Sequence, residues 1–475
     1  MSDNYSEHDP LELDEESAFG VYAMPEEAAP AITAPASEPQ KAATAAEEAS
    51  KVKVRPRYDK HLWGTFLFLI LFSLVELFSA SSQEVKIGNI YGPVIRHAMF
   101  LAIGLAIAFF LQKVHFKYFY RYIPVFVTGS LMLMTFVLFG GVRINGTMRG
   151  FQLGPVTILP ADVLKLATVL GVALILSKNQ VKGRRDVTRR GTIMAAGLVL
   201  VSSALLVTQG LSNAILVMSM SLAMMLIGGM RWKKFGIVVA TFAVLGLTAF
   251  GLKDVIHGKA EVTEAQLEIA RLNHEPPPTE GASTDRSGTW KQRLERHFRS
   301  DKYDDPITEE NRQEQFSYIA QAHGGLRGVG IGNSRENSRL PLAFSDYIFA
   351  IIIEEWGLVF GLFIMLCYLW MLARAARIGV KCTSTFACLT VCGCAVFVVS
   401  QALYHMAIVS GVLPVSGQPL PLISKGGTSI LVTCTAIGCM LSVSAHAAFK
   451  GDMVAKKHEF AALPESLRNE NPSQL

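Results

Sequence analysis

Three carboxylates stand at the entrance of an apolar stretch of this chain: Asp346, Glu354 and Glu355, within Leu340 to Gly357, ahead of a run that continues from Leu358 through Leu372. An uncompensated charge in hydrocarbon is costly, so acids in such a place serve binding, proton transfer or ion pairing. Asp346 falls where a polar loop becomes helix, which puts it at water or headgroup level. Ser345 or Asp346 can also simply cap that helix, since both residue types are favoured N-caps. Glu354 lies eight residues on, on nearly the same helical face and roughly 12 Å deeper by helix rise. Glu354 and Glu355 then point into the bundle or a cavity, either paired with a buried cation for structure or joined to the chemistry.

A second polar site opens another apolar segment at Pro160-Ala161-Asp162-Val163-Leu164-Lys165-Leu166. Asp162 and Lys165 are i and i+3, so they share a helix face and can pair. Arg149 adds a cation in the loop just before. The loop from Gly411 to Ser429 is rigid where its prolines set it and open where its glycines do, and it carries Lys425. An ionised acid, several cations and a path for a lipid suggest chemistry on an anionic, lipid-linked molecule at the outer membrane face. Residue spacing alone goes no further.

The elements that must position these groups are membrane helices. Of the 475 residues 51% are hydrophobic and 17% charged, with a mean hydropathy of +0.34, too apolar for an ordinary soluble protein of this size. Ten apolar segments are long enough, or nearly so, to cross a bilayer: 62–80, 97–112, 123–141, 160–177, 191–209, 211–229, 235–252, 346–372, 383–409 and 427–448. With residue 60 inside, the short inner connections carry fifteen basic residues and the short outer ones five: Lys86, Arg96, Arg143, Arg149 and Lys425. That asymmetry predicts an all-α, ten-helix, multi-pass membrane protein with both termini cytoplasmic.

The one long connection, 253–345, then falls outside, where function should be sought. Within it, Glu261 to Ser287 reads as a mobile excursion. In Trp290 to Arg299, Trp290, Leu294 and Phe298 share one side and Arg293, Arg296 and Arg299 another, as in a helix lying in the membrane interface. That helix either anchors to anionic headgroups or binds a substrate phosphate. The glycine-rich stretch Gly324 to Ser334 lacks the lysine of a Walker loop, so close backbone approach or a re-entrant turn is the better reading than nucleotide binding.

The formal charge of +5 hides an acidic head: residues 1–50 carry 12 acidic groups and one lysine, leaving +16 in the remainder. The head has no periodic apolar pattern and no signal-peptide core, so it reads as a disordered cytoplasmic tail, followed by a membrane domain over 51–449 and a second tail over 450–475. Membrane lipids, not nucleic acid, are the expected partners of the basic loops. All seven cysteines lie in or beside the last three apolar segments and behave as small hydrophobes.

Several motifs resemble those of the SEDS family of bacterial membrane proteins, which includes FtsW, RodA and SpoVE. Phe78-Ser79-Ala80-Ser81-Ser82 resembles its Tyr-Ser-Ala-Ser element; Asn145-Gly146 through Lys165 is similar to its Asn-Gly-Ala-x-Arg-Trp … Gln-Pro-Ser-Glu-x-x-Lys region. Gly324 to Gly357 looks like its Gly-Gly-Leu … Asp-x-Ile-Phe-Ala … Glu-Glu-x-Gly block, and Gly411 to Ser429 like its Gly-x-x-Pro-x-Thr-Gly … Ser-x-Gly-Gly-[Ser/Thr]-Ser signature.

The resemblance implies a peptidoglycan glycosyltransferase of the cytoplasmic (inner) membrane that polymerises lipid II, works with a class B penicillin-binding protein and other division proteins, and releases undecaprenyl pyrophosphate. Asp346 falls on the family's catalytic aspartate, a general base. Arg149, Asp162 and Lys165 match its polar cavity positions, Lys425 and Glu355 join the expected substrate-binding set, and a divalent cation, magnesium or manganese, is the one cofactor expected. Departures from the pattern are Leu342 for Glu, Gly150 for Trp, Ala161-Asp162 for Ser-Glu, His405 for Asn, Lys425 for Tyr, and Ser212-Asn213 in the hairpin. Phe-Ser-Asp and Ser-Lys-Gly-Gly-Thr-Ser look more like the division-type FtsW branch. A lipid II flippase and a non-catalytic division scaffold are the alternatives.

Overall fold

The computed structural model describes residues 58–80, 92–144, 147–153, 156–181, 184, 186–256, 295, 297–299, 306–308, 311–340 and 343–447. The acidic head, the C-terminal tail, the excursion over Glu261 to Ser287 and Leu342 lie outside them. Of the expected interfacial helix, Glu295, His297 and Phe298 are helical, whereas Trp290 to Leu294 lie outside the described residues.

The chain is a multi-pass membrane protein. Its helices are α1 Lys60–Ala80, α2 Gly92–Leu111, α3 Lys117–Gly140, α4 Pro160–Lys178, α5 Arg189–Val207, α6 Leu211–Ile227, α7 Trp232–Ile256, α8 Arg312–Gly324, α9 Ile348–Trp356, α10 Leu358–Lys381, α11 Thr385–Val409 and α12 Gly427–His446. Among the described residues, eight are long and apolar enough to cross a membrane, and α6 is a shorter apolar helix. The apolar windows of α4, α11 and α12 are 83%, 89% and 83% buried, against 22% for α3, so these three form the centre and α3 the lipid-facing rim. α4 packs on α3, α5, α6 and α11; α12 packs on α2 and α11.

Local signals set the ends that matter. Pro160 opens α4, where its missing N–H costs nothing, and Asp162 in the first turn complements the helix dipole. The Thr188 hydroxyl caps α5 by accepting from the Gly191 amide at 3.1 Å. Between α3 and α4 the chain departs from all-α: β1 Val142–Ile144, β2 Thr147–Leu153 and β3 Val156–Ile158 form a small antiparallel sheet in the order β1-β2-β3. A connection of this length satisfies its backbone by pairing with itself.

The expected continuous segment 346–372 is two helices. α9 stops at Trp356, and α10 starts at Leu358 and runs to Lys381. Gly357 between them has φ 87° and ψ 164°, a region open essentially to glycine alone. The cause lies in the glycine-rich stretch. Val329 and Gly330 donate their amides to the carbonyls of Glu354 (2.9 Å) and Glu355 (3.0 Å), and the Leu358 amide donates to the Gly325 carbonyl at 2.9 Å. The hairpin thereby supplies partners to helix-end groups that would otherwise be orphaned. The close backbone approach expected of these glycines is made to α9 and α10.

A Cβ on residue 357 would lie 2.4 Å from the Leu326 carbonyl oxygen. Gly357→Ala is expected to cost more than about 3 kcal/mol from strain and clash together, read as a clear drop in the thermal midpoint of the purified protein; an unchanged midpoint would contradict this account of the break.

Just before α1, Asp59 pairs with Arg374 of α10 and accepts from the Leu62 amide at 2.9 Å. Burial pushes the Asp59 carboxyl up, but the Arg374 guanidinium and the Leu62 amide together hold it below the usual value. A carboxyl lowered on folding adds stability above its unfolded pKa, and that stability is lost as pH falls through the folded value. Thermal midpoints of the unmutated chain and Asp59→Asn should therefore differ at pH 7 and converge as the pH falls below about 4.

Candidate active site

Asp346 lies in the turn 343–347, half-buried, one residue before the N-cap of α9. That N-cap is Tyr347, with no side-chain cap, so neither Ser345 nor Asp346 occupies the capping position. The Ser345 hydroxyl donates to Asp346 Oδ1 at 3.0 Å. On the other side stands Gly417, where a Cβ would come within 2.9 Å of Asp346 Oδ2. Glycine at 417 is what lets the backbone of the 410–426 loop reach the carboxylate.

That loop is stitched to the Asp346 turn at two further points. Ser424 Oγ donates to the Ser345 carbonyl at 2.7 Å, and the Lys425 amide donates to the Phe344 carbonyl at 2.9 Å. The Lys425 ammonium sits 4.3 Å from the centre of the Phe344 ring, a cation–π contact that holds the charge beside the turn. Within the loop, Leu422 has φ 68°, rare for a branched residue. Its carbonyl accepts from Ser73 Oγ of α1 at 2.8 Å, and the same oxygen of Ser73 meets His97 Nε2 of α2 at 2.7 Å.

Asp162 and Lys165 are both buried and form an ion pair of 2.6 Å at i,i+3. The Lys165 ammonium also reaches Gln418 Oε1 at 3.4 Å. Gln418 Nε2 donates to Asn213 Oδ1 of α6 at 3.0 Å, and the Gln418 carbonyl accepts from His405 Nδ1 at 2.6 Å. One loop thus links Asp346, Lys425 and the Asp162–Lys165 pair. Arg149 is on β2, in the connection that leads into α4, and its side chain lies outside the described ones.

Glu355 is engaged in a different place. Ser79 Oγ lies 2.6 and 2.7 Å from its two carboxylate oxygens. Glu354 accepts from Ser334 Oγ at 2.5 Å and from the Arg335 amide at 3.0 Å, so it holds the turn after the glycine hairpin and, among the described residues, pairs with no buried lysine or arginine. His323 Nδ1 is 3.8 Å from the same carboxylate. Of the two acids expected to point into the bundle or a cavity, Glu354 thus holds the turn after the glycine hairpin and Glu355 meets the end of α1.

Two groups of this region are not among the residues the sequence singles out. Glu76 of α1 is 0% exposed; Trp356 Nε1 donates to its Oε2 at 3.0 Å, and its Oε1 has no partner among the described residues. As an acid inside the first apolar segment it carries the same signal as Glu354 and Glu355. Gln418 carries no local signal, since its partners are distant in the chain. Among the described residues no three His, Cys, Asp or Glu side chains converge on a point that would hold a metal.

A family model described as "Cell cycle protein", covering FtsW, RodA and SpoVE, matches residues 59–266 and 288–448. The chain is 28% identical over 397 residues to "Probable peptidoglycan glycosyltransferase FtsW" of Polynucleobacter necessarius, covering 81% of this chain and 85% of that one. It is 26% identical over 388 residues to "Stage V sporulation protein E" of Bacillus subtilis, covering 81% and 96%. Its fold is similar to that of a chain in a structure described as "Structural coordination of polymerization and crosslinking by a peptidoglycan synthase complex" (TM-score 0.59, 23% identity, 82% of this chain and 98% of that one). It is similar in fold also to the rod shape determining protein RodA of Thermus thermophilus (TM-score 0.55, 21% identity, 83% and 99%).

Proposed function

The chain belongs to the FtsW, RodA and SpoVE family of cell cycle proteins, and on that premise we propose that it is a peptidoglycan glycosyltransferase. It polymerises lipid II into glycan strands at the outer face of the bacterial cytoplasmic membrane during cell division. The observation that carries this reading is one loop, 416–425, placed against Asp346 and tied at once to Lys425 and to the buried Asp162–Lys165 pair. It brings a carboxylate not used as a helix cap together with two cations at the outer end of the bundle.

In this reading Asp346 is the general base. It takes the proton of the acceptor sugar hydroxyl while that oxygen bonds to the donor's anomeric carbon and the bond from that carbon to the lipid pyrophosphate breaks. The pyrophosphate leaves with the electron pair, and Lys425, Lys165 and Arg149 offset the charge that develops on it. A divalent cation would add Lewis-acid stabilisation of the same charge. The described acids and histidines do not form a cage for one, and the steps above rest on side chains.

Ten spans with both termini cytoplasmic complete the arrangement, which leaves Asp346 and the loops 253–345 and 410–426 outside. The likeness to a chain of a peptidoglycan synthase complex supports a class B penicillin-binding transpeptidase as the partner. A flippase would use buried polar groups deeper in the bundle. Gln401 is one, at 1% exposure with both side-chain polar atoms unpartnered among the described residues. The catalytic reading is favoured because Asp346 stands at a loop–helix junction and not at mid-span.

The deciding experiment incubates the purified chain with its transpeptidase partner and lipid II, and resolves the products by size. Glycan strands support the reading; lipid II returned intact, with lipid translocation in vesicles, would replace it with the flippase.

A further inference from the structure

Gln418 joins several parts of the site. Its side-chain oxygen takes the Lys165 ammonium, its amide nitrogen donates to Asn213, and its carbonyl is held by His405 at 1% exposure. Its chain neighbour Gly417 abuts the Asp346 carboxylate. Gln418 itself is 3% exposed. A glutamine fits this place because the two partners demand opposite chemistry: lysine only donates, and the Asn213 oxygen only accepts. A carboxylate would need the Asn213 amide to turn and donate instead, and an apolar residue would leave Lys165 with Asp162 alone among the described residues.

The residue is also pinned from three helices, its side chain by α4 through Lys165 and by α6 through Asn213, and its backbone carbonyl by α11 through His405. Such a junction fixes where the Lys165 charge stands relative to the loop that carries Lys425. Misplacement of a charge by about 1 Å can cost two orders of magnitude in rate, so a group that only holds another can matter to turnover as much as one that touches the substrate.

We propose that Gln418 is a positioning residue that locks the Lys165 ammonium to the 416–425 loop, so that Lys165, Lys425 and Asp346 address one lipid-linked pyrophosphate together. The inference rests on the glycosyltransferase reading for the identity of that pyrophosphate. Its test does not need turnover.

The probe is undecaprenyl pyrophosphate, titrated against the full chain in nanodiscs. Gln418→Leu is expected to weaken binding about fivefold, the effect of losing one long hydrogen bond that holds Lys165. Lys165→Met is combined with Asp162→Asn so that no unpaired carboxylate is left buried. In that background Gln418→Leu should change binding by less than about 1.5-fold, because the group it positions is gone.

Gln418→Asn keeps the amide but is one methylene short. It serves where the leucine variant fails to fold, and it should weaken binding about fivefold while keeping the chain folded, with the thermal midpoint read beside the binding. Equal weakening in both backgrounds, or full affinity in both Gln418 variants, would overturn the role of Gln418 and leave the glycosyltransferase reading standing. An unmutated chain that binds no lipid pyrophosphate and makes no strands would overturn both.

Discussion

Asp346→Asn is expected to abolish glycan-strand synthesis from purified lipid II, by about 10³-fold or more, while leaving folding and transpeptidase binding intact. A positioned general base contributes typically about 10²–10⁴-fold, and an amide cannot take the acceptor's proton. Asparagine is nearly isosteric with aspartate. Its amide oxygen can still accept from the Ser345 hydroxyl, and it adds no heavy atom toward Gly417. The stitches between the 410–426 loop and the turn run through Ser424 Oγ and the Lys425 amide, neither of which involves the carboxylate. Thermal midpoint and co-purification of the partner should therefore match the unmutated chain, and strands of normal length from this variant would remove Asp346 from the mechanism.

Lys165→Met should have the second largest effect, and it should fall on stability as well as activity. Lys165 is 1% and Asp162 5% exposed, so removing the ammonium strands a carboxylate inside the bundle. Breaking a buried pair in this way costs about 3–5 kcal/mol, whereas replacing both charges together is often nearly neutral. The single variant should melt well below the unmutated chain and express poorly. Adding Asp162→Asn should recover most of the midpoint without recovering strand synthesis, because the cation proposed to face the leaving pyrophosphate is still missing. Recovery of synthesis together with stability would mean that the pair is only structural.

What the sequence made legible is local. α4 begins at the proline expected to open it, and its ion pair follows from i,i+3 spacing alone. Each long apolar helix overlaps its expected segment because a bilayer demands some twenty apolar residues in a row, although α2 and α3 start earlier than expected and α10 runs on to Lys381. The break at Gly357 was hidden in an unbroken apolar run, since it is imposed by backbone partners about thirty residues earlier. The partition of the acids was hidden for a similar reason: Glu355 meets a serine 276 residues away, and Glu354 meets the turn after the glycine hairpin. Gln418 is the extreme case, bonded to groups 253 and 205 residues distant. Glu76 was legible, an acid inside an apolar run, by the rule that draws attention to Glu354 and Glu355.

The short helix α9 behaves as a strut. One end is clamped by backbone bonds to the glycine hairpin, and the other carries the turn with Asp346. Nine residues make a lever about 13 Å long, so a tilt of about 5° at the clamped end swings the far end by about 1 Å. That is the scale on which catalytic alignment is won or lost. With Asp346 as the proposed base, a push on the hairpin would aim or misaim it without any contact near the reacting atoms.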